Sequence, residues 1–158
     1  MKKLLGLITI LFSLNAFADT EKNMSGIQLK DLNNNIVTLD KYKGKNLYIK
    51  MWASWCPICL AGLAEIDELS AEPNKTFEVI TIVSPNQKGE KSTEKFIEWY
   101  KGLDYKNITV LLDESGELIK QAKVKGYPFN LILDDALNLK KTIPGHLESK
   151  KIAGYFIM

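Results

Sequence analysis

From Leu4 to Phe17 the chain is almost continuously apolar, interrupted only at Gly6, Thr9, Ser13 and Asn15. Lys2 and Lys3 precede that run, and Ala16-Phe17-Ala18 closes it ahead of Asp19. A basic start, a short apolar stretch and an Ala-x-Ala end are the parts of a secretory signal peptide, so residues 1–18 are expected to be removed on export. A retained anchor is the alternative, but the run is shorter than the ~20 apolar residues of a spanning helix. Residues 19–25 are mostly polar and read as an unstructured lead-in.

Beyond them the pattern alternates between strand and helix. Residues 28–31 and 36–39 flank Leu32-Asn33-Asn34-Asn35, and asparagine tolerates positive φ, which predicts a hairpin. Residues 41–46 form a polar loop. Leu47 to Ala53 is largely apolar and suits a strand buried on both faces. Pro57 can open a helix, and apolar positions at mixed three- and four-residue spacing carry it to Ala71, with Pro73 beyond. Residues 77–83 and 108–112 read as strands. Ser92 is placed to cap a helix bearing Phe96, Ile97, Trp99, Tyr100 and Leu103. A short helix over 117–123, strands over 129–133 and 139–143, and a closing helix over 148–156 complete the order. Strands that alternate with helices and end in a hairpin predict an α/β fold with a mixed central sheet and helices on both faces. No repeat or linker divides residues 26–158, so one domain is expected.

Charge changes the picture by exclusion. The basic residues number 21, all lysine, against 19 acidic ones. Without arginine the chain lacks the side chain best suited to bidentate phosphate and base contacts, so no nucleic-acid partner is expected. Loss of residues 1–18 removes Lys2 and Lys3 and leaves a neutral chain. Recognition is therefore expected to rest on apolar contacts.

The chemistry concentrates in Cys56-Pro57-Ile58-Cys59, which holds both cysteines of the chain. Two thiols outside the cytosol form a disulfide by default. A bridge closing so short a loop constrains little, so chemistry explains it better than stability. The pair sits where a strand hands over to a helix, and the unpaired N–H groups of a helix start favour an anion. Such sites lower a thiol from about 8.5 to about 3.5–7. Cys56 is thus the expected attacking thiolate, and Cys59, a turn inside the helix, the shielded resolving thiol. A zinc site would need two further ligands, and the remaining donors are His146 and carboxylates, so no metal is expected. Asp134-Asp135 reads as a turn, and His146, the sole histidine, as a solvated loop residue.

The segment Lys50-Met51-Trp52-Ala53-Ser54-Trp55-Cys56-Pro57-Ile58-Cys59 resembles the active-site segment of the thioredoxin superfamily. Its Trp-Ala-Ser-Trp-Cys-Pro-x-Cys form is most similar to the exported, TlpA/ResA-like branch, which includes thiol reductases of cytochrome c maturation. The resemblance runs from about Gly26 to Lys151. Gly126-Tyr127-Pro128 stands where this family carries a cis-proline facing the active site. A narrower likeness, over residues 49–60, 80–85 and 99–103, is to the thioredoxin-like domain attached to some exported bacterial methionine sulfoxide reductases, where it delivers electrons to the reductase.

These likenesses imply a thioredoxin-like fold and an exported thiol–disulfide oxidoreductase, in the periplasm or on the extracytoplasmic face of a bacterial cell, acting as a reductant with Cys56 and Cys59 as its redox group and no cofactor. They imply a separate methionine sulfoxide reductase as acceptor and a membrane thiol donor of the DsbD/CcdA type. Apocytochrome c or general protein disulfides are the alternative acceptors, and a non-catalytic binding module is the rival outside the enzyme class. A monomer is expected. Trp55, Pro57, Tyr127 and Pro128 are the expected substrate-binding rim, with Trp55 and Tyr127 partly exposed and Trp52 and Phe129 buried. Lys50 departs from the family, since many thioredoxins carry a buried Asp there. A partly buried Lys50 would favour nearby thiolates and tune their pKa, whereas a Lys at the strand end can snorkel to water. Gly62 stands where several exported relatives have Glu; Glu65, one turn on, is the candidate to substitute for it, with a solvated helix residue as the favoured reading.

Overall fold

The computed structural model describes residues 21–157. The signal segment expected over residues 1–18 lies outside the described residues. In chain order the elements are β1 (Gln28–Lys30), β2 (Ile36–Thr38), a 3-10 turn (Leu39–Tyr42), β3 (Asn46–Met51), α1 (Pro57–Ala61), α2 (Leu63–Ala71), β4 (Phe77–Val83), α3 (Thr93–Tyr100), β5 (Val110–Leu112), α4 (Glu117–Gln121), β6 (Phe129–Leu133), β7 (Leu139–Pro144) and α5 (Ser149–Gly154).

The seven strands form one sheet in the order β2-β1-β5-β4-β3-β6-β7. β3, β4 and β5 run parallel, while β6 is antiparallel to β3 and β7 to β6. Two-residue alternation along β3 sorts its side chains between the faces. Leu47, Ile49 and Met51 join Ile80, Ile82 and Leu131 in one core, with Leu118 of α4 among them. Tyr48 turns to the other face, where it meets Ile66 and Leu69 of α2 and Ile152 of α5. Trp52, just past the strand, packs there with Leu63 of α2 and Phe96 of α3. Burial on both faces is what the apolar run over 47–53 predicts, and the fold is the mixed α/β, thioredoxin-like one.

Differences from the sequence reading are local. Residues 22–24 are not an unstructured lead-in: Asn23 bridges to Asn138, the Leu139 N–H donates to the Lys22 carbonyl, and Met24 is fully buried. The helix expected over 57–71 is two helices, with Gly62 between them at φ −89° and ψ −4°. Leu39 opens a 3-10 turn rather than ending a strand, because its buried side chain anchors that turn in the core. The Asn turn forms as expected: Asn34 takes φ +64°, and the Asp31 carboxylate accepts the N–H groups of Asn33 and Asn35.

Candidate active site

β3 lies among its neighbours in the sheet, and the chain leaves it through Trp52-Ala53-Ser54-Trp55 to reach Cys56. Cys56 caps α1 with extended backbone, and Pro57 takes the first helical position, where its missing N–H costs nothing. Cys56 and Cys59 are joined in a disulfide. The Cys59 N–H also donates to Cys56 Sγ at 3.2 Å. After reduction that donor faces the Cys56 sulfur, and a hydrogen bond to the charged form favours the thiolate. Cys56 is 4% exposed and Cys59 is wholly buried, so the outer sulfur of the pair belongs to Cys56.

An apolar rim surrounds that sulfur. Trp55 is 49% exposed and Ile58 61%, and Pro57 is exposed beside them. The Trp55 ring lies 6.0 Å from the ring of half-buried Tyr127, while Trp52 and Phe129 are buried. The sheet register brings Tyr127 there. Met51 pairs with Phe129, so the preceding Tyr127-Pro128 lies at the end of the sheet from which the cysteine loop emerges. The Tyr127–Pro128 bond is cis, and the Gly145 N–H donates to the Pro128 carbonyl at 2.8 Å.

Behind the rim a second loop grips the first. The Glu90 carboxylate accepts the Ser54 N–H at 2.5 Å and the Ser54 hydroxyl at 2.6 Å. Lys91 Nζ donates to the same hydroxyl at 2.7 Å and lies over the Trp99 ring at 5.2 Å. Glu90 is 7% exposed, so the ion is held by hydrogen bonds rather than by water. Its neighbour Gly89 has φ +81°, and a Cβ there would sit 3.7 Å from Trp55 Nε1. Sequence reasoning missed Glu90 because nothing in its local spacing distinguishes it from a surface acid.

Lys50 corrects the snorkelling alternative: it is 1% exposed. It shares a sheet face with Tyr48, and its Nζ lies 3.0 Å from the point a Cβ on Gly62 would occupy. His146 Nδ1 is 3.2 Å from that same point. Burial lowers the Lys50 ammonium below its ordinary pKa, and nearby Glu65 partly opposes this. Glu65 is not merely a solvated helix residue. Its carboxylate accepts the Ser149 N–H at 2.7 Å and lies 3.6 Å from His146 Nε2. The Ser149 N–H holds Glu65 below the usual carboxylate range despite partial burial, with nearby His146 and Lys50 adding to the effect. His146 is therefore a partly exposed loop residue turned toward this cluster. Asn130, opposite Lys50 in the sheet, accepts from Tyr48 Oη and donates to the carbonyls of Ile143 and Gly145, which fixes the loop carrying His146.

A family model described as Redoxin matches residues 16–155. The chain belongs to the Redoxin family. This Redoxin chain is 70% identical over 152 residues to an uncharacterised Haemophilus influenzae protein, covering 96% of each. It is similar to the pneumococcal exposed lipoprotein thioredoxin Etrx1 of Streptococcus pneumoniae TIGR4, with 44% identity, a TM-score of 0.77, and 81% of this chain and 95% of that one covered. It is also 25% identical over 112 residues to sporulation thiol-disulfide oxidoreductase A of Bacillus subtilis, covering 70% of this chain and 66% of that protein.

With its close-set pair at Cys56 and Cys59, the Redoxin chain is a thiol–disulfide oxidoreductase of the thioredoxin superfamily. Among the described residues no group of three or more His, Cys, Asp or Glu side chains is arranged to hold a metal ion. Nor is any described helix long and apolar enough to cross a membrane.

Proposed function

We propose that this protein is an exported reductant of protein disulfides. The observation that carries the reading is the asymmetry of the pair: Cys56 keeps the only exposed edge of the disulfide, 4%, beside the exposed apolar side chains of Trp55, Pro57 and Ile58, and Cys59 is fully buried. The Cys56 thiolate attacks one sulfur of a substrate disulfide, the substrate S–S bond breaks, and the other substrate sulfur leaves as a thiolate that takes a proton from water. The Cys59 thiol gives up its proton, through water, to the departing substrate sulfur and attacks Cys56 Sγ. The mixed disulfide breaks, the second substrate thiolate leaves, and the Cys56–Cys59 disulfide forms, so two electrons pass to the substrate.

Trp55, Pro57, Tyr127 and Pro128 hold the substrate segment against Cys56. Lys50 acts through charge, favouring thiolates above it in a site with little water to screen it. A methionine sulfoxide reductase whose own disulfide needs reduction is the favoured acceptor, supported by the likeness over residues 49–60, 80–85 and 99–103. A membrane thiol donor of the DsbD/CcdA type returns the electrons. Export is supported by the pattern of residues 1–18.

Two measurements test the reading. A reduction potential near about −270 mV is expected of a reductant, and one near about −120 mV would overturn it in favour of an oxidant. Turnover of a methionine sulfoxide reductase with the reduced protein as sole electron source tests the acceptor. Failure there, with reduction of apocytochrome c intact, moves the acceptor to the alternative.

A further inference from the structure

A groove of about 720 Å³ is lined by the C-terminal end of α4, the segment from there to Tyr127, and strands β6 and β7. Its apolar walls include Tyr127, Phe129 and Leu139, and its charged lining is Lys22, Lys123 and Lys125, with no carboxylate among the lining residues. Lys123 and Lys125 are exposed, and neither forms an ion pair among the described residues. Lys22 Nζ is held on the Gln121 carbonyl at 2.7 Å. Lys88 Nζ donates to the Lys125 carbonyl at 3.4 Å, a further ammonium next to that lysine though outside the lining. Six lysines elsewhere, by contrast, sit against a carboxylate: Lys30, Lys43, Lys45, Lys101, Lys106 and Lys140.

We infer that this groove receives an extended, acidic segment of the protein whose disulfide Cys56 reduces. The inference rests on the disulfide-reductant reading and names the kind of partner that reading leaves open. Two features join the groove to the site. Tyr127 belongs to both, forming a groove wall and packing its ring on Trp55. The rim around Cys56 is apolar, and the groove that shares Tyr127 with it carries lysines. A carboxylate there supplies the counter-ion that the lining lacks, and an apolar neighbour covers Phe129 and Leu139. Neutrality of the exported chain as a whole does not prevent this, because the charges are segregated locally. Charges at the edge of an interface act mainly on association rate and salt dependence.

The test uses the reduced protein and two synthetic disulfide peptides, identical except for two Glu or two Lys residues three to five positions from the cysteine. Hydroxyethyl disulfide serves as an uncharged probe. The Glu peptide is expected to give a kcat/KM about 5- to 10-fold above the Lys peptide at low salt, the advantage collapsing in 0.5 M NaCl. In Lys123→Glu/Lys125→Glu the preference for the Glu peptide is expected to reverse. In Lys150→Glu/Lys151→Glu, an equal charge change on α5, it is expected to persist. Equal kcat/KM for both peptides overturns the inference while the reductant reading stands. No reduction of any of the three probes overturns the reading itself. Binding to phosphatidylglycerol vesicles through Lys123 and Lys125, without a peptide preference, assigns the patch to a membrane surface and also overturns the inference.

Discussion

Ser54 gives both its backbone N–H and its hydroxyl to one carboxylate, that of Glu90, at 2.5 and 2.6 Å. The contact joins two loops that are 36 residues apart in sequence. It fixes the backbone two residues before Cys56, and with it the direction in which Trp55 and Cys56 leave the sheet. A buried N–H that loses its acceptor costs about 1–3 kcal/mol.

Glu90→Ala is therefore expected to destabilise the protein by about 2–3 kcal/mol, as it orphans the Ser54 N–H and removes the carboxylate that also accepts the Lys91 backbone N–H at 2.7 Å. Thermal unfolding checks this, with Glu94→Ala, an exposed acid of α3, as the comparison. An unfolding midpoint equal to that of the parent would show that the clamp holds nothing.

The two cysteines are expected to behave differently when each is replaced. Cys59→Ser leaves Cys56 able to attack but removes the group that releases the product, so a mixed disulfide accumulates with the substrate. Cys56→Ser leaves a fully buried thiol and is expected to trap none. Mass spectrometry of the products under non-reducing conditions distinguishes the two, and equal trapping by both variants would contradict the assigned order of attack.

Lys50 yields a pH dependence with a definite sign. Burial lowers its pKa below the ordinary 10.5, so between the two values the unfolded chain binds the proton more tightly than the folded one. Its stability contribution is full above 10.5 and is lost as pH falls through the lowered folded value. Lys50→Met, a side chain of similar length without the charge, is expected to gain stability over the parent near pH 7. That margin should shrink as pH approaches 10, which denaturant titrations at a series of pH values will show. The same variant is expected to raise the Cys56 pKa, followed by the pH profile of its alkylation. An unchanged Cys56 titration would remove Lys50 from the site.

Trp55 is half exposed and packs chiefly on Tyr127, so its loss should cost binding rather than folding. Trp55→Ala is expected to lower kcat/KM for a protein disulfide about tenfold while moving the unfolding midpoint by no more than a few degrees. Steady-state kinetics beside a melting curve separate the two effects. A large drop in midpoint would make Trp55 a core residue instead.

Local rules made the sheet and the cysteine pair legible. Apolar runs located β3, β4 and β6, and Pro57 marked the helix start that presents Cys56. What stayed hidden depends on segments distant in the chain. Lys50 looked able to snorkel, since its sequence neighbours do not reveal that Gly62 and the His146 loop close over it. Glu65 gave no sign of its bond to Ser149, 84 residues away. Residues 22–24 looked unstructured because their pairing partners, residues 137–139, come near the end of the chain. The break at Gly62 was obscured by a helical spacing that continues through it.

The complete burial of Cys59 also bears on oxidative damage. A low-pKa thiolate such as that expected of Cys56 is the sulfur on which peroxide acts first, giving a sulfenic acid. An isolated site of that kind proceeds to sulfinic and sulfonic acids, which most cells cannot reverse. Here a second thiol waits within bonding distance, out of reach of the same oxidant. Condensation of the two expels water and yields the disulfide that ordinary turnover also produces. Injury and catalysis thus end in one chemical state, and whatever donor recharges the enzyme repairs it as well.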